Sequence, residues 1–333
     1  MHARIFLLSV GLGLGALAAP LTAQLSLPQV SLPPTGAVLD PVTGQVLGTV
    51  DELGRDVADR IRQLADLRAE RLERLVHRHS DAIEFDAQGE PARRGELLVM
   101  DAGPAALTEA EQRGYRVMGV ERIEALDLDV LRLAVPAGRK LADAQAELER
   151  LMPGAAVSAD NLHFASGAAK GIMPMALQAT TGPIATPVGV IDGGVSAAQK
   201  VLAIRGFAQG APMPSHHGSA VVSLLSFAGV RNIRVADVYG ADPAGGNALA
   251  IARALGWLVT QGSKVVNVSL VGPPNAVVER AIVNAQAKGV KVVAAVGNDG
   301  PAAPPAYPAS YDGVVAVTAV DRRNRALIEA GRA

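Results

Sequence analysis

The chain has 333 residues, of which 49% are hydrophobic and 19% are charged, and its formal net charge is −1 at pH 7. This length allows one large domain or two ordinary ones, and the hydrophobic fraction is sufficient for a sizeable core. The balanced charge and the low aromatic content, 3%, argue against a nucleic acid partner. Because cysteine is absent, structural disulfides, thiolate metal sites and a cysteine nucleophile are excluded.

The first 23 residues have the pattern of an export signal. Arg4 gives a positive start, residues 5–19 are small or apolar, and Ala23 is a small residue suited to cleavage. The apolar run is shorter than the ~20 residues that a membrane-spanning helix needs. We therefore predict a signal peptide at 1–23, a secreted or periplasmic protein and no stable membrane anchor, with a retained N-terminal anchor as the alternative.

Two segments of contrasting composition follow. Residues 24–50 are rich in proline and nearly uncharged, which predicts an extended linker. Residues 51–79 carry leucine, valine and isoleucine at steps of three and four among many charges, which predicts a long helix. Packing on a neighbouring domain is favoured over a coiled coil, because the apolar spacing slips after Leu67.

The segment 95–164 alternates strand and helix patterns in the order β-α-β-β-α-β. This order is the ferredoxin-like arrangement, an α+β domain that carries no function by itself. Charged residues are dense from 51 to 160 and sparse from 161 to 320, so we place a domain boundary at 161–187.

The segment 188–320 alternates buried strands and helices, as a parallel α/β sheet does. We predict an α/β fold for 188–333, a doubly wound and mainly parallel sheet. The predicted strands are 188–191, 233–239, 264–270, 290–296 and 314–320, and the predicted helices begin near 217, 248 and 276.

Three polar residues lie where strands end or a helix begins. Asp192 follows a strand, His217 opens a helix, and Asn298 follows a later strand. Each alone is a weak signal: Asp192 is more often part of a plain turn, His217 also suits a solvated loop or a helix entrance, and Asn298 suits a turn equally well. Together they suit amide hydrolysis, in which an imidazole activates a hydroxyl, a carboxylate orients the imidazole and a carboxamide stabilises the oxyanion.

Five ordered motifs resemble those of the subtilisin-like serine peptidases. They are Val188-Gly-Val-Ile-Asp192-Gly-Gly, His216-His217-Gly-Ser219-Ala-Val, Val265-Val-Asn-Val-Ser269-Leu-Val-Gly272, Val292-Val-Ala-Ala-Val-Gly-Asn298, and Tyr307-Pro-Ala-Ser with Val314-Val-Ala-Val-Thr-Ala-Val-Asp321. The resemblance spans about 188–325 and implies that Asp192 and His217 are the acid and base of a triad, with Asn298 as the oxyanion donor.

The same resemblance implies a polypeptide substrate and a cleft that binds it as an added strand. The implied substrate-binding residues are Gly245, Gly246, Ser269, Leu270 and Gly272 for strand pairing, and Ala294 and Gly297 for a pocket wall of little bulk. It also implies that 95–164 is an inhibitory propeptide whose last residues, around 162–165, occupy the cleft, whereas a plain accessory domain is the alternative. No cofactor is expected; calcium often supports this family, but no carboxylate cluster has a recognisable loop spacing.

The chain departs from the family pattern in three places. Gly193 stands where the family has Ser or Thr, and Ser219 replaces a Thr. The family's nucleophile lies in a Gly-Thr-Ser-x-Ala segment that nothing after Asn298 matches, since the only later serine is Ser310. We therefore expect the chain as given to be inactive and poorly folded.

Two functions remain open at this point. One is an exported serine endopeptidase zymogen represented by an incomplete chain, and the other is a catalytically inactive pseudo-protease that binds peptides. A nucleotide-binding domain is not supported, because neither a Gly-x-Gly-x-x-Gly after a strand nor a Walker motif occurs.

Overall fold

The computed structural model describes residues 43–166 and 182–333. The chain divides into two compact units, Met1–Asp51 and Glu52–Ala333. Most of the first unit, including the predicted signal peptide 1–23, lies outside the described residues. The architecture described below is that of the second unit.

The N-terminal helix is longer than the sequence predicts. Helix α1 spans Thr43–Arg78, so it begins inside the segment 24–50 that composition assigns to a linker. That assignment is wrong for 43–50, because the prolines that favour an extended chain end at Pro41. Leu64 and Leu72 of α1 are buried, so one face of the helix packs against the rest of the unit.

An antiparallel sheet with two helices follows α1 and has the predicted β-α-β-β-α-β order. The elements are β1 Ile83–Phe85, β2 Pro91–Met100, α2 Pro104–Gln112, β3 Arg116–Ile123, β4 Leu128–Ala134, α3 Leu141–Leu151 and β5 Ala156–Asn161. The strands lie in the order β5-β2-β4-β3, and β1 pairs with the start of β2. Pro104 starts α2, where a missing N–H costs no helical hydrogen bond.

Both faces of this small sheet are buried. Leu97 and Leu133 point to the face covered by α3, where they meet Leu148. Leu98 and Val130 point to the other face and join the core of the large parallel sheet described next. The small domain therefore packs against the parallel-sheet domain through apolar contacts.

The second half of the unit is a six-stranded parallel sheet, in agreement with the predicted fold class. The elements are β6 Phe164–Ala165, β7 Val188–Asp192, β8 Ala203–Gly206, α4 His216–Phe227, β9 Ile233–Asp237, α5 Ala248–Thr260, β10 Val265–Val268, β11 Leu270–Val271, α6 Ala276–Ala287, β12 Lys291–Ala295 and β13 Val315–Val317. The strand order of the large sheet is β13-β12-β10-β7-β9-β8, and every neighbouring pair is parallel. The short strands β6 and β11 lie outside this sheet and pair with each other.

The sequence does not predict β8, and it predicts a longer strand than the observed β13. β8 is a short edge strand with mixed polarity and therefore lacks the apolar run that marks the buried strands. β13 covers three residues of the predicted 314–320, and its Val315 and Val317 are 51% and 49% exposed. Leu224 and Phe227 of α4 are similarly exposed, so apolar surface is uncovered on both elements. Among the described residues, no helix has the length and apolar character needed to cross a bilayer.

Candidate active site

Two polar residues meet at the carboxyl edge of the parallel sheet. β7 ends at Asp192, and His217 lies in the first turn of α4. Ser215 caps α4, with its Oγ accepting a hydrogen bond from the N–H of Gly218 at 2.9 Å. Such a cap satisfies a free donor of the first turn and thereby sets where the helix begins.

The structure places Asp192 and His217 in direct contact. Nδ1 of His217 lies 2.7 Å and 2.9 Å from the two carboxylate oxygens of Asp192. The Asp192 side chain is fully buried, and one oxygen also accepts a hydrogen bond from the N–H of Gly193 at 2.7 Å. The hydrogen bond to Asp192 raises the pKa of His217 above 6.5, although burial of the ring acts in the opposite direction.

The other ring nitrogen of His217 faces a backbone carbonyl. Nε2 lies 3.1 Å from the carbonyl oxygen of Ser166, which can only accept a hydrogen bond. An imidazolium, which has an N–H on both ring nitrogens, could donate to Asp192 and to this carbonyl at the same time. In this arrangement the Ser166 carbonyl occupies the side of the ring that a base would turn to its substrate.

Close backbone packing explains the glycines around this pair. A Cβ on Gly193 would lie 2.5 Å from Oγ of Ser215, so the hydroxyl residue that the family has there does not fit beside this cap. A Cβ on Gly218 would lie 2.2 Å from the carbonyl oxygen of Gly193. The Ser219 hydroxyl forms a hydrogen bond within the helix, in which its Oγ donates to the carbonyl of Ser215 at 2.7 Å.

An extended segment at the end of the small domain lies beside His217; we call residues 161–166 the tail. β6 of the tail pairs antiparallel with β11, and the N–H of Ser166 donates to the carbonyl of Ser269 at 2.8 Å. On the other side, the N–H of His163 donates to the carbonyl of Gly246 at 2.8 Å. The tail is thus held as a strand between two stretches of backbone.

The predicted substrate-binding residues divide into two groups. Gly246, Ser269 and Leu270 contact the tail through their main chains. Gly245 instead donates to Asp242 within a turn, and Gly272 exchanges two hydrogen bonds with Tyr307. The N–H of Gly245 and both backbone groups of Gly272 are thus engaged within the domain, and pairing of these two glycines with a substrate stays a prediction.

The residues that line the pocket differ in part from the predicted ones. A cavity of about 480 Å³ lies beside the tail, and its walls include Ser166, Gly297 and Asn298. Ala294 is buried in β12 and does not line this cavity, whereas Val296 does. Strand alternation would put these two residues on the same face, so the difference is that Val296 lies beyond the end of β12 at Ala295.

A buried histidine of the tail lies against the cleft backbone. The His163 ring packs on Gly272, where an added Cβ would lie 2.6 Å from two ring carbons. Burial lowers the pKa of His163 to about 4, so the ring is neutral at pH 7. Its Nδ1 lies 3.3 Å from the carbonyl of Asn161, and its Nε2 has no hydrogen-bond partner among the described residues.

Sequence reasoning misses two side chains that shape this site. Asp237, buried at the end of β9, accepts hydrogen bonds from the N–H groups of Met213, Tyr239 and Gly240. The Tyr239 hydroxyl donates to the carbonyl of His163 at 2.8 Å. The position of Asp237 directly after an apolar strand, like that of Asp192, is the signal that indicates it.

No hydroxyl nucleophile approaches His217 in the part of the chain that the structure describes. The hydrogen-bond partners of the ring are Asp192 and Ser166, and Ser310 donates its hydroxyl to the carbonyl of Ala306. The described residues also contain no group of three or more His, Asp or Glu side chains that suits a metal ion.

The parallel α/β sheet carries an Asp–His pair at its carboxyl edge and a paired strand beside the imidazole, which is part of the arrangement that serine peptidases use. Residues 186–330 match the model of the subtilase family, Peptidase S8. This part of the chain, which is less than half of its length, is similar to the subtilase family.

Curated relatives agree with the family match. Subtilisin BL of Lederbergia lenta is 36% identical over 154 residues, which are 41% of this chain and 56% of that protein. Subtilisin DY of Bacillus licheniformis is 33% identical over 159 residues, or 42% of this chain and 58% of that protein. The chain therefore spans little more than half the length of these relatives.

A solved structure shows the shared fold over a longer stretch. Fervidolysin from Fervidobacterium pennivorans, described as a keratinolytic enzyme related to subtilisin, aligns with a TM-score of 0.51. The alignment covers 69% of this chain and 44% of that chain, at 17% sequence identity.

Proposed function

We propose that this protein is a serine-type endopeptidase in which Asp192 and His217 serve as acid and base. The observation that carries the proposal is the 2.7 Å contact between their side chains, beside a backbone strand whose carbonyl faces the imidazole. Neutral His217 takes the proton of a serine hydroxyl as the oxygen attacks the peptide carbonyl, and later gives that proton to the leaving amine. We propose that the hydroxyl belongs to a segment outside the described residues.

We propose Asn298 as the donor to the oxyanion. It lies on the wall of the same cavity as Ser166, the residue whose carbonyl faces His217. A positioned carboxamide stabilises the charge that develops on the carbonyl oxygen, and removing one such donor costs about 2.7–4 kcal/mol, a magnitude measured in subtilisin.

We further propose that 95–164 is an intramolecular inhibitor and that the protein is exported as a zymogen. The tail supports this, since it fills the cleft as a paired strand and places a carbonyl on Nε2 of His217. The apolar segment 5–19, which resembles an export signal, supports secretion into the periplasm or the medium. Cleavage of the precursor between 164 and 188 would then free the cleft.

The test uses the chain joined to the reading frame that follows codon 333 in its gene. We expect this protein to hydrolyse a fluorogenic peptide and to react with a fluorophosphonate, whereas the 333-residue chain alone does neither. His217→Ala should lower kcat/KM by at least ~10³-fold and leave the precursor uncleaved. The exposed neighbour variant His216→Ala is the matched control and should stay close to the unsubstituted protein. Hydrolysis that survives in His217→Ala would overturn the proposal.

One observation favours a second function, a peptide-binding module without catalysis. The cleft pairs with the tail through the main chain on both sides, and the described residues offer His217 a carbonyl rather than a hydroxyl. If the extended protein binds a synthetic copy of 160–166 but neither hydrolyses peptides nor reacts with the fluorophosphonate, the binding function replaces the peptidase function.

A further inference from the structure

Helix α1 lies on the outer side of the tail. Leu75 and Val76 of α1 pack with Leu162 and Phe164 of the tail in one apolar cluster. Further toward its N-terminus, α1 passes the loop after β12, where a Cβ on Gly300 would lie 2.9 Å from the Leu64 side chain. The helix therefore spans from the tail to the loop that carries Asn298.

Arginines of α1 bind acidic side chains next to Asn298. The Arg71 guanidinium contacts both carboxylate oxygens of Asp299 at 3.0–3.1 Å. Arg68 lies 3.6 Å from the same carboxylate and binds Glu90 at 2.8 Å. Arg60 lies 3.6 Å from Glu329. The contacts with Asp299 and Glu329 connect the helix to the parallel-sheet domain directly, and none of these contacts involves the tail.

The helix also closes the cavity beside the cleft. Leu64, Arg68 and Arg71 line it from the helix, and Gly297 and Asn298 line it from the domain. A side chain that entered this cavity from a bound peptide would meet α1. Glu90 and the tail also line the cavity, and α1 forms the side of it that carries the arginines.

We propose that the loop Gly297–Gly300, together with Glu329, is an interaction surface for an arginine-bearing helix. Helix α1 fills that surface as an inhibitory element separate from the tail. The inhibitory role of α1 rests on the proposed peptidase function, whereas the position of α1 over the cavity can be measured without any hydrolysis. Exposed ion pairs are individually weak and are screened by salt, so the contact is suited to release once the pro-region is cut.

The test uses the absence of cysteine from the chain. Ala303 lines the cavity and is 6% exposed, so Ala303→Cys in the full chain places a single thiol under α1. The rate of its reaction with a maleimide reports how often the cavity opens. In this background we expect Arg71→Glu to raise the rate at least tenfold, which corresponds to ~1.4 kcal/mol in the opening equilibrium.

A residue one turn along α1 supplies the matched control. Arg74 is 60% exposed against 52% for Arg71, and it pairs with Glu70 of its own helix instead of Asp299. Arg74→Glu should leave the maleimide rate within twofold. Combining Arg71→Glu with Asp299→Arg restores the ion pair in reverse and should bring the rate back. Equal rates in the two glutamate variants, or no rescue by Asp299→Arg, would overturn the proposal.

A salt titration tests the same contact without changing Arg71. In Ala303→Cys alone, raising the salt from about 0.05 M to about 1 M shortens the screening length from more than 10 Å to about 3 Å. The maleimide rate should rise, and it should rise less in the Arg71→Glu background, where salt also screens the repulsion that this substitution creates with Asp299. A maleimide rate that does not change with salt in Ala303→Cys would contradict the proposal, whether or not Arg71→Glu folds. Fluorescence of Trp257 would show whether that variant is folded. Normal covering by α1 without fluorophosphonate reactivity of the extended protein would instead count against the peptidase function.

Discussion

Acid should release the tail from the cleft, because a docked His163 cannot be protonated without cost. The ring is fully buried against Gly272, and Nε2 has no hydrogen-bond partner among the described residues. Burial lowers the pKa of His163 from 6.5 to about 4. The undocked tail therefore binds a proton more readily than the docked tail, and acid favours the undocked form.

The size of the effect follows from the two pKa values. The docking free energy is at its full value above 6.5, the pKa of the exposed ring, and falls as the pH approaches 4, the pKa of the buried one. Between about pH 7.5 and pH 4.5 the loss is about 2.5 kcal/mol, which is nearly two orders of magnitude in the opening constant.

The assay compares the full chain with His163→Phe, which keeps a ring of similar size but does not titrate. Hydrogen exchange at the amides of His163 and Ser166, corrected for intrinsic rates, reports opening because these N–H groups donate to Gly246 and Ser269. Near neutral pH the two chains should differ little, since phenylalanine loses only the 3.3 Å contact with Asn161.

At about pH 4.5 the tail of the unsubstituted chain should open nearly a hundredfold more often than that of His163→Phe. Other groups that titrate in this range act equally in both chains and cancel from the ratio. The exposed histidine of α1, His77, provides a control, and His77→Phe should not change the ratio. If the ratio for His163→Phe is the same at both pH values, the buried ring does not carry the effect.

Three further predictions concern the site and its support. Because the hydrogen bond to Asp192 raises the pKa of His217, the kcat/KM of the extended protein should rise with pH, with a midpoint above 6.5. Asp192→Asn should lower that midpoint and should lower kcat/KM by ~10⁴-fold. A pH–rate profile of unchanged shape in this variant would contradict the prediction. Gly218→Ala places a Cβ 2.2 Å from the carbonyl of Gly193, so α4 must shift and kcat/KM should fall at least ~10²-fold, while an unaltered rate would show that the helix accommodates the methyl. Burial raises the pKa of Asp160 to about 7, so its ionisation lowers the free energy of unfolding as the pH rises from 3.8 through that value. Asp160→Asn removes this loss, which amounts to about 4 kcal/mol near pH 8, and urea unfolding across the pH range would measure it. The same pH dependence of the unfolding free energy in both chains would refute the prediction.

Local signals predict the elements that carry the site. Helix α5 spans the predicted 248–260 because an apolar helical pattern follows directly after Asn247, whose side chain caps the helix by accepting from the N–H of Ala250. The strands that end at Asp192 and Ala295 are continuous apolar runs, as strands buried on both faces are. In such segments the residue pattern and the packing favour the same structure.

Other features depend on contacts between distant parts of the chain. Gly245, Gly272 and Ala294 fit the cleft motif by position, but the first two are engaged by Asp242 and Tyr307 and the third is buried in its strand. The pattern of α1 predicts a helix and not its partner, because the same arginines would suit any acidic surface or solvent. Asp299 becomes that partner only when the chain brings it within 3.0 Å of Arg71, which lies 228 positions earlier.

Order and kind of residues along the chain were enough to indicate a parallel α/β domain with an acid, an imidazole and a carboxamide at its edge. Tertiary structure alone decided which of these side chains meet, that the imidazole faces Ser166, and that a helix covers the neighbouring cavity. The physical reason is that periodicity, caps and turns act over a few residues, whereas a hydrogen bond such as that between His217 and Asp192 depends on how separate elements pack.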